Sequence, residues 1–342
     1  MARSRFIVLV ILLLSFATVA GANNFRAADL VYMNAAGRVQ GAAFFKTDVF
    51  ITNVSSASVI VDVVYLPTGP TANYSDDSTW TIETLPAIAA GATVELEDII
   101  GDTFGLSSGF GHLLFFSCRD GGDCSNCGDD AADCLPITVE GRVYAEATGA
   151  ACPNGASLCT LGQLFSGMPW YSFVSRDVAD RGLDKVKILG IRQFGGISPN
   201  RNGFRSNIGL VNSSAFSSTT LKVTLFNENN TQFGSTTRTL GPLAHTQENI
   251  SSLFAGFTGT GYVIVEQTAV SPVDTSDPDC PDGCPGFYAY GSTLDNTSDD
   301  PTTLESVFLK DLTEFISLKK PSTLKRPVHR PAWLNHGAGS NR

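Results

Sequence analysis

The chain has 342 residues, enough for two ordinary domains, and 43% of them are hydrophobic while only 16% are charged. This composition provides for a buried core and excludes a globally disordered chain. Lys and Arg number 23 and Asp and Glu 33, a net charge of −10 at pH 7, which argues against nucleic acid as a partner.

Residues 1–22 have the pattern of a signal peptide. A basic start, "MARSR", precedes the apolar run "FIVLVILLLSFATV", and "AGA" at residues 20–22 fits the small-x-small rule for cleavage. The alternative is an uncleaved membrane anchor, which the short length of the apolar run disfavours. We therefore expect a secreted, extracellular or periplasmic protein, cleaved near Ala22, with no transmembrane segment in the mature chain.

Two stretches of the chain resemble each other and predict an internal repeat. "KTDVFITN" at residues 46–53 resembles "RSNIGLVN" at residues 205–212, which places Asn53 on Asn212. Further matching blocks follow in the same order in both halves, and the last of them places Tyr144 on Tyr290. Because the order is preserved, chance is a poor explanation for the resemblance.

Each copy of the repeat is predicted to be all-β. Segments such as 59–66 and 221–226 are rich in Val, Ile, Leu and Phe, alternate with period two, and are separated by turn residues. About seven short strands per copy are typical of an antiparallel β-sandwich. The Cys–Trp–Cys core pattern of true immunoglobulin domains is missing from the sequence. We expect two tandem sandwiches that are immunoglobulin-like in architecture only.

The predicted organisation has five parts. They are a signal peptide at 1–22, a sandwich with a Cys/Asp-rich insert at 23–160, an apolar connector at 161–184, a second sandwich at 185–318, and a disordered basic tail at 319–342. The connector holds many large apolar residues, so we expect the two sandwiches to be packed together. The tail holds six basic residues and no acidic residue, so the acidic excess lies in the rest of the mature chain.

All eight cysteines follow the signal peptide, and an even number in an exported chain predicts disulfide bonds. Their clustering indicates local staples on loops. In the first cluster three pairings are open, and we favour Cys118 with Cys134 and Cys124 with Cys127. Zinc binding is an alternative, which the lack of a second C-x2-C pair disfavours. The other cysteines bracket two short loops: Cys152 and Cys159, and Cys280 and Cys284.

Two acidic loops are candidate calcium sites, and each follows the same strand of its repeat. Calcium prefers several oxygen ligands from a flexible loop, and Asp clusters beside Gly supply them. A solvated loop stapled by disulfides is the other interpretation. The candidate ligands are Asp120, Asp123, Asp129, Asp130, Asp133, Asp274, Asp277, Asp279 and Asp282.

The sequence predicts neither a catalytic residue nor an organic cofactor. "GLSSG" at residues 105–109 matches the G-x-S-x-G pattern, but we interpret it as a turn before a strand. His112 is predicted to open a strand and His245 to lie in a turn, at different positions of the repeat, so no paired histidine site is expected. The carboxylates of Glu95, Glu97 and Asp98 could line a hydrolytic cleft, although solvated carboxylates are commoner.

Three segments carry a resemblance: "FRSNIGLVNSS", "YAYGSTLDNTSDDPTTL" and "LPAIAAGATVELEDII". They are similar to segments of exported bacterial tandem β-sandwich proteins of the Acidobacteria type. The resemblance covers nearly all of residues 28–310, although Phe50 stands where the second repeat has Gly209. It implies a cell-surface or extracellular binding or scaffold module, and it implies no set of catalytic residues.

Two classes of function remain open. The first is a non-enzymatic extracellular or cell-surface module with a structural, adhesive or partner-binding role, and its partner would be a protein or polysaccharide at the cell surface. The alternative is a carbohydrate-binding or hydrolytic accessory protein. Aromatic side chains that could stack on sugars are Trp80, Trp170, Tyr171 and Phe173.

Overall fold

A computed structural model describes residues 27–40, 44–122, 133–148, 152, 157–169, 173–174, 185–195, 202–272, 286–298 and 300–308. Over these residues the chain is all-β with antiparallel sheets, as its period-two alternation predicts. The strands of the N-terminal half are β1 Leu30–Gln40, β2 Phe44–Asn53, β3 Val59–Pro67, β4 Thr81–Thr84, β5 Thr93–Leu96, β6 Gly109–Arg119, β7 Ile137–Thr148, β8 Leu158–Ser166 and β9 Met168–Pro169.

The strands of the C-terminal half are β10 Lys185–Gln193, β11 Phe204–Asn212, β12 Ser218–Asn227, β13 Gln232–Leu240, β14 His245–Asn249, β15 Gly259–Ser271, β16 Phe287–Asp295, β17 Pro301–Leu304 and β18 Ser306–Phe308. Three short helical segments are described: a 3-10 turn at Asp77–Thr79, a π-helical turn at Ile99–Thr103 and an α-helical turn at Ile250–Leu253.

The N-terminal half forms two groups of strands. Sheet I has the order β4-β3-β6-β1, with β9 also paired to β1, and sheet II contains β2, β7 and β8, with β5 paired to β2. The end of β1 joins the two groups through the pair Val39 and Phe45. In the C-terminal half, sheet III has the order β13-β12-β15-β10-β18 and sheet IV the order β14-β11-β16-β17.

The two halves follow one pairing scheme. Each strand of the N-terminal half corresponds to the strand numbered nine higher in the C-terminal half, so that β1 corresponds to β10 and β2 to β11. With this numbering, the strand pairs within sheets I and II recur in sheets III and IV. Irregularities also coincide, since β1 is bulged before Ala36 and β10 before Ile191. Asn53 pairs with the first residue of β7 and Asn212 with the first residue of β16.

Asn53 and Asn212 close their strands with the same set of contacts. Both side chains are fully buried. The Asn53 amide donates to the carbonyls of Ala57 (2.7 Å) and Ile88 (2.9 Å), and its oxygen accepts from the amide of Ser55. Asn212 donates to the carbonyls of Ser217 and Gly241, both at 2.8 Å, and accepts from the amide of Ser214. Asn is therefore needed at this turn because it supplies donors and an acceptor together.

The predicted match of Tyr144 with Tyr290 is wrong in register. Phe50 pairs with Glu140 on β7, whereas Gly209 pairs with Tyr290 on β16. Under the correspondence that puts Asn53 on Asn212, the place of Tyr290 therefore belongs to Glu140. The physical reason is local, since a Cβ at Gly209 would overlap the ring of Tyr290. The Tyr290 ring on β16 occupies the space beside Gly209 on β11, so the residue opposite this tyrosine has to be glycine.

Each half has its own hydrophobic core between its two groups of strands. Alternate residues of the second and third strands of each half point inward, as period two requires. Examples of these inward residues are Val49, Ile51, Val59, Val61 and Val63 in the N-terminal half, and Ile208, Leu210, Leu221, Val223 and Leu225 in the C-terminal half.

Part of the segment that the sequence assigns to the connector forms strands. Residues 161–166 lie in β8 and residues 168–169 form β9, which pairs with β1. Val174 forms an isolated bridge with Phe287. The predicted signal peptide, most of both acidic loops and the basic tail lie outside the described residues.

Candidate functional site

The outer face of sheet I is apolar and is covered by the C-terminal half. Leu30 and Leu66 point away from the N-terminal core and pack in a separate cluster with Ala215 and Leu243. The buried residues of β1 form a near-continuous run because both faces of the strand are covered. We call this contact region the junction.

Backbone hydrogen bonds cross the junction. The amide of Gly69 donates to the carbonyl of His245 at 2.8 Å, and the amide of Gly241 donates to the carbonyl of Pro70 at 3.0 Å. The hydroxyl of Thr68 donates to the same His245 carbonyl at 2.9 Å. The junction therefore includes directional contacts as well as apolar packing.

Two histidines meet at the junction. His112 lies on β6 beside Leu66 of β3, and His245 is the first residue of β14. Both side chains are fully buried, and their ring centroids lie 5.7 Å apart in an edge-to-face arrangement. The expectation that no histidine pair forms is therefore wrong. The two residues occupy different positions in their halves, as the sequence indicates. Their pair forms by contact between the two halves, and aligning one half on the other does not reveal such contacts.

Tyr290 completes the polar part of the junction. Its hydroxyl lies 2.9 Å from His245 Nε2 and 2.9 Å from Gln247 Oε1. The phenol proton goes to Gln247, so His245 donates from Nε2 and is the Nε2-protonated tautomer. Burial raises the pKa of Tyr290 well above its ordinary value, which keeps the hydroxyl protonated.

Three nitrogen atoms of the histidine pair have no hydrogen-bond partner among the described residues. They are both ring nitrogens of His112 and Nδ1 of His245. Burial lowers the pKa of His112 to about 3. Burial, and then the neighbouring His112, lower the pKa of His245 well below its ordinary value. Both rings are therefore neutral at neutral pH, because a low-dielectric site disfavours the cation.

A second cluster of titratable groups lies where the π-helical turn meets β2. Asp98 is buried, caps the turn and forms an ion pair with Arg38. Its amide donates to Asp48 Oδ1 at 2.9 Å. Burial raises the pKa of Asp48, while a hydrogen bond from Tyr144 opposes the rise.

The C-terminal half has a comparable contact between two amide side chains, whereas the donor in the N-terminal half is the backbone amide of Asp98. Asn207 stands at the position of Asp48, and its Oδ1 accepts from Asn249 Nδ2 at 3.2 Å. Asn249 caps the helical turn Ile250–Leu253 as Asp98 caps the π-helical turn. Neutral amides cap the turn in the C-terminal half, so this position does not require a charged group. We therefore assign the carboxylates of Asp48 and Asp98 a structural role in holding the turn. Glu95 and Glu97, the other candidates for a hydrolytic cleft, are exposed.

Two of the nine predicted calcium ligands lie within the described residues. Asp120 is exposed, and its amide donates to the carbonyl of Ser58 at 3.0 Å. Asp133 forms an ion pair with Arg119 at 3.0 Å. No group of three or more His, Cys, Asp or Glu that could hold a metal ion occurs in the described part of the chain. The other seven Asp residues lie outside that part, and calcium binding stays a prediction.

The cysteines agree with the disulfide prediction as far as they are described. Cys152 and Cys159 form a disulfide bond with their Cα atoms 5.6 Å apart. Cys118 and Cys134 each take part in a disulfide bond. The remaining cysteines, Cys124, Cys127, Cys280 and Cys284, lie outside the described residues. The pairing within the first cluster and the bond between Cys280 and Cys284 therefore stay predictions.

Two of the four aromatic residues proposed for sugar stacking are half-buried and contact other aromatic side chains. Phe173 lies edge-to-face on Tyr32 with ring centroids 4.6 Å apart. Trp80 stacks on Phe116 at 6.4 Å. Both side chains pack against the junction cluster. Trp170 and Tyr171 lie outside the described residues. The "GLSSG" segment leads into β6, which begins at its last residue, Gly109, as expected for a turn before a strand.

Among the described residues, no helix has the length and apolar character needed to cross a bilayer. The sequence matches no protein-family model, and a search of curated proteins also returns no match. The resemblance to exported tandem β-sandwich proteins of the Acidobacteria type therefore stays a prediction.

Proposed function

We propose that the chain is an exported, non-enzymatic extracellular or cell-surface module with a structural, adhesive or partner-binding role. In this proposal it consists of two immunoglobulin-like sandwiches that arose by duplication and are packed together at the junction. The shared pairing scheme of β1–β9 and β10–β18 supports the duplication. A separate hydrophobic core in each half supports the tandem arrangement, and Val211, Tyr288 and Tyr290 of the C-terminal half pack against the N-terminal core.

One observation carries the non-enzymatic part of the proposal. The histidine pair lies inside the junction with no exposed surface, so its chemistry serves contact between the halves. A general base must reach the proton that it abstracts, which requires access for a substrate. The buried carboxylates Asp48 and Asp98 are likewise held by Arg38, Tyr144 and backbone amides.

The signal pattern at residues 1–22 and the disulfide between Cys152 and Cys159 support export, since disulfide bonds persist in oxidising compartments. The proposed partner surface is the pair of acidic loops, which leave equivalent strands. The first loop follows β6 after Arg119 and the second follows β15 after Ser271. Loops held on a rigid scaffold are the usual place for binding residues.

The proposal is tested by binding of the fluorescently labelled mature chain to intact producing cells and to purified polysaccharides. We expect saturable binding that weakens when the acidic residues of both loops are changed to Asn. A matched control changes four exposed carboxylates outside the loops and should bind like the wild type: Glu83, Glu95, Glu97 and Asp102. Release of soluble sugar from a polysaccharide would overturn the proposal in favour of a hydrolytic accessory protein.

A further inference from the structure

The histidine pair occurs only where the two halves meet. His112 directly follows Gly111, and the corresponding residue after Gly261 in β15 is Tyr262. His245 lies opposite Val211, and the corresponding residue opposite Thr52 in β5 is Thr93. Tyr262 is half-buried and Thr93 is exposed. The corresponding positions, Tyr262 and Thr93, therefore hold no histidine pair. Neither of these two residues lies at the junction.

The described surroundings of the pair contain aromatic rings and neutral polar groups, and no carboxylate among them pairs with either ring. The titratable groups that face it from β16 are Tyr290 and, beyond it, Tyr288, and both hydroxyls are kept protonated by burial. The side chain that faces it from β14 is the neutral amide of Gln247, and β3 contributes Leu66. No carboxylate among the described residues contributes to the pKa shift of either ring. A proton on either ring would be an unpaired buried charge, which proteins rarely tolerate.

Separation of the halves is the simplest way to hydrate such a charge. Each half keeps its own core when the junction opens, although Val211, Tyr288 and Tyr290 of the C-terminal half would leave the N-terminal core cluster. Among the described residues, Ala215 and Leu243 are the buried members that the C-terminal half contributes to the separate junction cluster. Its loss therefore exposes much less apolar surface than unfolding of either half.

We propose that the junction is an acid-sensitive contact, in which protonation of His112 and His245 separates the two halves while the strands of each half stay folded. The inference concerns regulation of the contact between halves and does not depend on which partner the protein binds.

The direction of the effect follows from proton linkage. Exposed imidazoles have a pKa of about 6.5, so the separated state binds two more protons than the closed state below that pH. Since the closed state holds both rings neutral, acid favours the separated state. The ratio of separated to closed molecules should rise about 100-fold for each pH unit below about 6.5, a factor of about ten for each ring.

The test uses the full mature chain between pH 7.5 and pH 4. Small-angle X-ray scattering measures the separation of the halves, and far-ultraviolet circular dichroism measures the strand content. We expect expansion at unchanged strand content, with a slope of about two protons for the wild type. The slope should fall to about one in His112→Gln and in His245→Gln, and to about zero in the double variant. Substitution of His329 and His336, in the basic tail, is the matched control and should leave the slope unchanged.

Two results would overturn the proposal. One is loss of strand content together with expansion, which would mean global acid unfolding. The other is expansion of the double variant at the same pH as the wild type, which would mean that carboxylates drive it. Should the double variant fail to fold, imidazole nuclear magnetic resonance of the wild type still decides the question. The two junction rings must titrate together with expansion, and titration of either ring in the compact state would contradict the proposal.

Discussion

Tyr290 lies across Gly209, its partner in the antiparallel register of β16 and β11, so closely that a methyl group on Gly209 would overlap the phenol ring. This contact places the Tyr290 hydroxyl between His245 and Gln247. The glycine of "RSNIGLVN" is therefore required by packing at the junction, whereas Phe50 occupies the corresponding place in the other half.

Replacing Gly209 with Ala should lower the free energy of unfolding by about 1–3 kcal/mol, the usual cost of overpacking a buried site. Urea unfolding measures the change. Gly234→Ala in β13 is the matched control, because an added Cβ there meets only ordinary contacts with Phe254. Equal stability of the two variants would contradict the assigned role of Gly209.

Replacing Tyr290 with Phe should also destabilise the protein, by about 1–3 kcal/mol, because His245 Nε2 and Gln247 Oε1 lose a buried partner. The control is Tyr262→Phe, which removes an exposed hydroxyl that donates to Asn230. We expect less than about 0.5 kcal/mol for that change, as for most surface substitutions. A smaller loss in the Tyr290 variant than in the control would exclude a stabilising role for the junction hydroxyl.

Asn53→Ala and Asn212→Ala should each cost about 1–3 kcal/mol, since each leaves several buried backbone groups unsatisfied. Chemical denaturation of the two single variants measures the costs. The exposed Asn229 offers a control, and its substitution by Ala should change stability by less than about 0.5 kcal/mol. A large cost at only one of the two positions would show that the two asparagines are not equivalent.

Asp48→Asn should be at least as stable as the wild type at neutral pH, with the same fold. Burial raises the pKa of Asp48, so the folded state binds its proton more tightly than the unfolded state. The protonated Asp48 carboxyl therefore stabilises the folded state at low pH. This stabilisation is lost as pH rises through the pKa that Asp48 has in the folded state. The advantage of the Asn variant should therefore grow with pH from about 3.8 upward. Thermal unfolding over a pH series measures it, with Asp102→Asn as the exposed control.

If the acidic loops hold calcium as the sequence predicts, calcium should raise the melting temperature relative to EDTA, because an ion that binds the folded chain stabilises it. An unchanged melting temperature would contradict the calcium prediction. Scanning calorimetry of residues 23–342 in both conditions makes the comparison. A rise of several degrees with calcium, lost when the acidic loop residues are changed to Asn, would establish a calcium site in the loops.

The sequence alone was enough to predict an all-β chain and to align Asn53 with Asn212. Alternation with period two reports which side of a strand is apolar, and a buried Asn that closes a strand keeps its contacts in both halves. The same reasoning misjudged the register of Tyr290, because the aromatic side chain moved from one strand to its neighbour while the alternation stayed the same.

Only the tertiary structure decided what covers each sheet. His112 and His245 are far apart in sequence and unmatched in the repeat, yet their rings lie 5.7 Å apart. Alternation indicates that a face will be buried, but it does not indicate which other face will bury it. That choice depends on how the outer surface of sheet I fits the C-terminal half, and the same fit excludes water from both rings and lowers their pKa.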